Sequence, residues 1–309
     1  MAWKQVMEIY DLLDNPKVTA SSVKDYLLNC GLKDQEVKTK RITGEKGFTE
    51  FIKIKISGRE KRAGKAPTLG IIGRLGGIGA SPHTTGLVSD ADGALTALAA
   101  ASKLAAMRSK GDLLQGTVII STHISPASPI IPHEPVPFMG APVSMEIMNQ
   151  EEVDSDMDAI LSVDTTKGNR IINHKGFAIS PTVKDGYILR VSEDLLDLMQ
   201  IVSGRLPSVF AISTQDIIPY GRGIYHLNSI MQPATATHSP VVGVAITTEV
   251  AVPGCATGAN HCLDIEMAVR FCLEVAKAFG KGKCSFYDEK EFRLLKKLYG
   301  SMEHLKTQK

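Results

Sequence analysis

The sequence predicts an α/β fold: a three-layer α/β/α arrangement around a mostly parallel mixed sheet. Two observations carry this. From residue 68 onward, short apolar runs at 68–73, 117–122, 159–164, 209–213 and 241–247 show little polar alternation, as expected of strands buried on both faces of a parallel sheet. Between them lie helical stretches at 92–108, 192–203 and 263–279, giving the alternation of an α/β domain.

The elements follow in order. Val6, Ile9, Tyr10 and Leu13 form one apolar stripe at helical spacing, and Asn15-Pro16 stops that helix. Val23, Tyr26, Leu27 and Cys30 repeat the pattern, led in by Ser21-Ser22 and closed by Gly31. In 51–56, Ile52, Ile54 and Ile56 alternate with Lys53 and Lys55, a half-buried strand. A basic loop with Arg59, Lys61, Arg62 and Lys65 comes next and reads as a solvated connection. The segment 126–142 carries six prolines, too many for a helix or a central strand, so it is expected to be a long ordered loop or a lid. A last helix is expected at 288–299. Residues 1–285 read as one α/β domain with 1–66 packed on it, and 286–309 as a charged helical tail.

Composition narrows the classes. Of 309 residues, 43% are hydrophobic and 22% charged, an ordinary globular balance. Thirty-five basic against 33 acidic residues leave a net charge of +2, which removes the electrostatic argument for a nucleic-acid partner. No apolar run reaches the roughly 18 residues of a bilayer span; the longest, 94–107, is broken by Lys103. The first residues lack the apolar core of a secretory signal. Five cysteines without a CxxC spacing read as free thiols in a reducing, cytoplasmic setting.

In open α/β sheets, ligands bind beyond the carboxyl ends of the strands. Each of the five runs is followed by polar residues. After 68–72 come four glycines in seven residues, Gly73-Arg74-Leu75-Gly76-Gly77-Ile78-Gly79. Gly76 and Gly77 would offer backbone amides to a ligand, or serve a tight bend needed for packing. Arg74 would grip a carboxylate, or be paired structurally. Asp90 and Asp92, in Ser89-Asp90-Ala91-Asp92-Gly93, would cap the following helix or ligate a metal. His123 and Asp164 stand at two further run ends, with Thr214-Gln215-Asp216 and Thr247-Thr248-Glu249 at the others. His133-Glu134 suits proton transfer or a structural ion pair. Thr257, Gly258 and His261 would present amides and an imidazole, or cap the helix at 263.

The order of these features resembles the co-catalytic zinc aminopeptidase superfamily, the glutamyl and tetrahedral aminopeptidases and their carboxypeptidase-like relatives. Ser89-Asp90-Ala91-Asp92-Gly93-Ala94-Leu95 is similar to their metal-bridging aspartate motif, and Val163-Asp164-Thr165 to their strand-end aspartate. Gly116-Thr117-Val118-Ile119-Ile120 is similar to the strand leading to their glutamate pair, and Leu263-Asp264-Ile265-Glu266 to the start of their last helix. More closely, the chain resembles a bacterial and archaeal family catalogued as a domain of unknown function. Gly73 to Gly79, Val163 to Arg170 and Pro253 to Gly258 carry that likeness. The chain departs from the aminopeptidases where Arg74-Leu75-Gly76 replaces their His-x-Asp and Thr122-His123-Ile124 replaces their Glu-Glu. Their inserted dimerisation domain is missing, since ten residues separate Gly79 from Asp90.

Two functions follow as expectations. The first is a metal-dependent hydrolase of peptide or amide bonds. Asp90, Asp92, His123, Asp164 and His261 would hold zinc, manganese or cobalt, and His133, Glu134 and Arg74 would serve catalysis. The second is a metal-free protein that binds a small carboxylate or peptide at the same strand ends through Arg74, Gly76, Gly77, Thr257 and Gly258. The partner in either case is a small molecule or short peptide, with neither nucleic acid nor membrane. Self-association through exposed sheet edges is a further expectation.

Overall fold

The computed structural model describes residues 1–59, 66–74, 76–81 and 84–306. Lys61, Arg62 and Lys65 of the basic loop lie outside the described residues, as do Leu75 and His83. The chain opens with helices α1 (Trp3–Leu13) and α2 (Ala20–Asn29). A hairpin of β1 (Val37–Gly44) and β2 (Gly47–Ile56) precedes the first central strand, β3 (Thr68–Gly73). Short strands β4 (Gly79–Ser81) and β5 (Thr84–Thr85) lead to helix α3 (Asp92–Ser109) and strand β6 (Thr117–Ile124). Then come β7 (Ser128–Ile131), β8 (Phe138–Met139), α4 (Met145–Glu152) and β9 (Ala159–Thr166). Strands β10 (Gly176–Ile179), β11 (Val183–Lys184) and β12 (Tyr187–Ile188) precede α5 (Glu193–Ser203). Strand β13 (Val241–Thr247) and helices α6 (Cys262–Gly280) and α7 (Glu289–Tyr299) follow.

The main sheet runs β1-β2-β6-β3-β9-β13-β11-β12, with β10 also on β13. Its centre is parallel: β3 pairs with β6 and β9, and β9 with β13. Both flanks are antiparallel. The parallel centre brings the carboxyl ends of β3, β6, β9 and β13 to one edge of the molecule, which is what positions the candidate site.

Alternate positions on these strands feed two cores. Ile71, Ile120, Leu161 and Val244 face the apolar layer that α1, α2, α3, α5 and α6 cover. Ile72, Ile119, Ile160 and Ala245 face Phe210, Ile230 and Met231. This second face is covered by α4 and by irregular chain rather than by long helices, so the third layer is the thinner one. Helix α3 sits directly on the sheet because two glycines let it. A Cβ on Gly73 would fall 2.4 Å from Gly93 O, and one on Gly93 would fall 2.5 Å from Arg74 O.

Three local expectations change. Helix α2 starts at Ala20, one residue before Ser21-Ser22, because Thr19 Oγ1 accepts the Ser22 amide at 3.2 Å and caps it. The run 209–213 is not a strand. Among the described residues only Val209 forms a bridge, to Ile179 on the outer edge of β10. Phe210 instead fills the second core. The Pro-rich segment contributes β7 and β8 to a separate four-stranded sheet, β5-β4-β7-β8. Among the described residues no helix is long and apolar enough to cross a membrane.

Candidate functional site

The residue after β3 is Arg74, and it is completely buried. Its Nη1 donates to Glu152 Oε2 at 2.6 Å and to Asn149 Oδ1 at 3.1 Å, both on α4. Glu152, also buried, accepts from His123 through its other oxygen, at 2.9 Å. The His123 tautomer follows from its second contact. The Gly76 amide can only donate, and it lies 3.2 Å from Nε2, so the proton sits on Nδ1 and is given to Glu152. Arg74, Glu152 and His123 therefore form one network. The buried guanidinium is balanced by a carboxylate through Nη1, while its Nε has no hydrogen-bond partner among the described residues.

A second buried pair stands next to it. Lys167, one residue beyond β9, places Nζ 2.5 Å from Asp92 Oδ2. Asn260 donates to the other oxygen, Asp92 Oδ1, at 2.6 Å, and to Val88 O. Burial pushes the Asp92 carboxyl above its ordinary range, and the Lys167 ammonium opposes that push. Neither Asp90 nor Asp92 caps α3: a short 3₁₀ turn, Ser89–Ala91, precedes the helix, and its cap residue is Ala91.

Asp90 and Asp164 are two further buried carboxyls at the strand ends. Asp164 accepts the Thr165 amide at 2.7 Å and the Ser229 hydroxyl at 3.1 Å. Burial raises it to about 6 against the opposing charge of Arg74. Among the described residues Asp90 accepts one bond, from the Met139 amide at 3.3 Å. Burial first, and the Asp164 charge second, push it up to about 7. Gly254 packs against this carboxyl so closely that a Cβ there would lie 2.1 Å from Oδ2. The Tyr220 phenol, beside Ser229, is raised by burial as well.

The residues singled out from the sequence thus divide. Arg74, His123, Asp90, Asp92 and Asp164 are gathered at the strand ends. Gly76 and Gly77 lie inside the protein: a Cβ at Gly76 would fall 1.5 Å from His123 O, and one at Gly77 2.1 Å from Met139 Sδ. These two glycines allow chain to pack on chain. His133 and Glu134 are exposed on the Pro-rich segment and do not pair with each other among the described residues. Thr257, Gly258 and His261 are exposed on the loop before α6. His261 does not cap that helix with its side chain and lies 3.5 Å from Asp264. Asp216, by contrast, organises its own loop, accepting from Ser213, Leu227 and Asn228.

The residues read as metal ligands are not brought to one point. Among the described residues, the one group of three whose ligand atoms all lie within 4.8 Å is Asp185, His238 and Glu303. It lies elsewhere, and three ammonium groups already surround Asp185: Lys306 at 3.8 Å, Lys296 at 3.9 Å and Lys184 at 4.0 Å. At the strand ends, His123 uses both ring nitrogens, and Asp92 and Asp164 use both oxygens. With both His123 nitrogens taken and the Lys167 ammonium on Asp92, the full set read from the sequence is not open to a metal ion as bonded. Two open grooves, of about 530 and 390 Å³, are lined by 189–194, by 284–292 and by Asp158, Lys184 and His238 to Pro240. Asp158 and Pro240 immediately precede β9 and β13, so these grooves are at the amino ends of the strands.

Glu152 and Lys167 carry no recognisable signal in the sequence. Lys167 reads there as part of a polar turn, and its partner is 75 positions away. Glu152 ends a short helix that periodicity does not announce, 78 positions from Arg74.

A parallel-centred mixed sheet makes this an α/β protein, and its fold resembles the aminopeptidase, phosphorylase/hydrolase-like, fold. The chain is similar in structure to the bottromycin maturation enzyme BotP, with a TM-score of 0.56 and 15% identity over 91% of this chain and 70% of that one. It is similar to the cytosol aminopeptidase of Coxiella burnetii, with a TM-score of 0.50 and 14% identity over 90% and 68%. The leucine aminopeptidase of Caenorhabditis elegans matches with a TM-score of 0.49 and 14% identity over 87% and 65%. No curated protein matches the chain in sequence. The chain belongs to the DUF1177 family, described as a protein of unknown function, whose model matches residues 40–309. Both resemblances drawn from the sequence, to a domain of unknown function and to the aminopeptidase fold, therefore hold.

Proposed function

We propose that this chain uses the aminopeptidase fold without a metal, as a protein that binds a small carboxylate or short peptide at its strand-end face. The observation that carries this reading is the buried Lys167–Asp92 pair at 2.5 Å. An ammonium from the chain itself supplies positive charge where the sequence invites a metal, and Arg74 does the same for Glu152. A metal on Asp92 would have to displace that ammonium and leave it buried and unpaired, which is costly. The exposed loop with Thr257, Gly258 and His261 is tied to this centre through Asn260 and forms the rim a ligand would meet first.

Thermal unfolding in the presence of small mono- and dicarboxylates and dipeptides tests the proposal. A ligand at about 100 times its Kd stabilises by about 2.7 kcal/mol, so the Tm should rise by a few degrees. The His261→Ala variant, changed at an exposed position, should lose that rise. If no compound shifts the Tm, or if the shift is equal in the variant, the binding reading fails. Chelator-sensitive peptide hydrolysis would instead establish the metal-dependent hydrolase.

A further inference from the structure

The strand-end carboxyls are closed off from solvent, and the structure shows by what. Strands β7 and β8 form a hairpin, with Ile130 opposite Met139 and Ile131 opposite Phe138, closed by the Gly140 amide on Pro129 O. Its tip, 132–135, and Phe138 are exposed. Its inner edge lies over Asp90. Met139 is buried against Val88, with Ile130 and Cys255 beside it, and packs on Gly77.

The hairpin is held unevenly. Its first root is tight: Ser128 and Pro129 pair with Ala80 and Ser81 of β4, Ser125 N donates to Gly76 O at 2.7 Å, Ile78 N to Ser125 O at 2.9 Å, and Ser128 to Ser125 at 2.6 Å. Its second root is fixed by Val143 in an apolar cluster with Phe51 and Met148. Between the roots, two polar bonds join the hairpin's inner edge to the site. Met139 N donates to Asp90 Oδ2 and Gly254 N donates to Pro137 O, each at 3.3 Å, beyond the usual N–H···O range.

We propose that residues 130–139 are a lid over the strand-end site, with Met139 as its plug, which swings off Asp90 to admit a ligand. The proposal rests on the strand-end face being the binding site. It explains how carboxyls as buried as Asp90 and Asp164 could meet a ligand. The roots stay fixed, and the hairpin pairing and the three prolines of the span between them let it move as one piece.

Hydrogen exchange on the full chain without any ligand tests this, so its outcome is separate from that of the binding experiment. The amides of 130–139 should exchange at least about 100-fold faster than those of β9, since a lid is drawn from the low-stability end of a fold. Equal protection in the two segments would overturn the lid. A second readout uses Cys255, which Met139 partly covers, in a protein with Cys30→Ser and Cys262→Ser; Cys272 and Cys284 are buried. Met139→Ala should speed alkylation of Cys255 about 10-fold while leaving exchange in β9 unchanged. An unchanged alkylation rate in a folded variant would also overturn it, and the wild-type exchange decides the matter if the variant does not fold.

Discussion

The two ends of the central sheet handle charge in opposite ways. At the carboxyl ends, Arg74 with Glu152 and Lys167 with Asp92 are pairs in which neither side chain is more than 2% exposed. At the amino-end side, Lys296 and Glu303, beside Asp185, are 37% and 42% exposed, and His238 is 75% exposed. The same residue types therefore do different work. In water, such pairs gain little, because solvent already stabilises each ion. Inside the protein a missing partner leaves a stranded charge, so each pair fixes its neighbours in place. The first end is a locked polar core under a cover, and the second is an open surface with grooves.

The largest expected effect comes from breaking the locked end. Glu152→Ala strands Arg74 and frees one His123 nitrogen, and should cost about 3–5 kcal/mol in chemical denaturation. A loss below about 1 kcal/mol would mean that solvent reaches Arg74.

The next effect is a pH dependence. Asp90 and Asp164 hold their protons up to about 7 and about 6, whereas the unfolded chain releases them near the ordinary 3.8. A carboxyl raised on folding contributes stability that is fully present below its unfolded value and is lost as pH rises through its folded value. These two groups should thus lower stability between about pH 4 and 7, by up to about 1.4 kcal/mol per pH unit for each proton involved. Asp90→Asn should flatten the upper part of that span. Denaturation midpoints at several pH values check it, and a wild type whose stability rises across this span would contradict the burial of Asp90.

The smallest effect belongs to the open end. Lys296→Ala removes contacts to Asp185 and Glu303, with Lys184 and Lys306 still beside Asp185. It should change stability by at most about 1 kcal/mol. An effect as large as that of Glu152→Ala would erase the distinction between the two ends.

The contrast also marks what the sequence makes legible. Apolar runs and helical stripes place β3, β13, α3, α5, α6 and α7 to within a residue or two, because burial imposes a period on the chain. Strand β1 has no such mark: its Lys38-Thr39-Lys40-Arg41 face is exposed at the sheet edge. The run at 209–213 has the apolarity of a strand, but Val209 alone pairs, with Ile179 of β10, and Phe210 turns into the second core. At the site, aspartates and a histidine after strand ends are visible because strand ends are where ligands bind. Their partners are not. Glu152 and Lys167 are ordinary charged residues until the fold brings them to Arg74 and Asp92, and pairing over that distance leaves no local pattern. The glycines after β3 are visible as a cluster, but whether they face a ligand or the protein depends on what packs against them. Here His123 O and Met139 do.

We propose that the chain's own cations, rather than a metal, neutralise Asp92 and Glu152. Metal content measured after loading with zinc, manganese or cobalt and removing excess ion tests it most directly. The His238→Ala variant excludes the exposed Asp185 group from the count. The account predicts less than one retained ion per chain and a Tm unchanged by chelator. One or more ions retained in His238→Ala, and lost on Asp164→Asn, would contradict it.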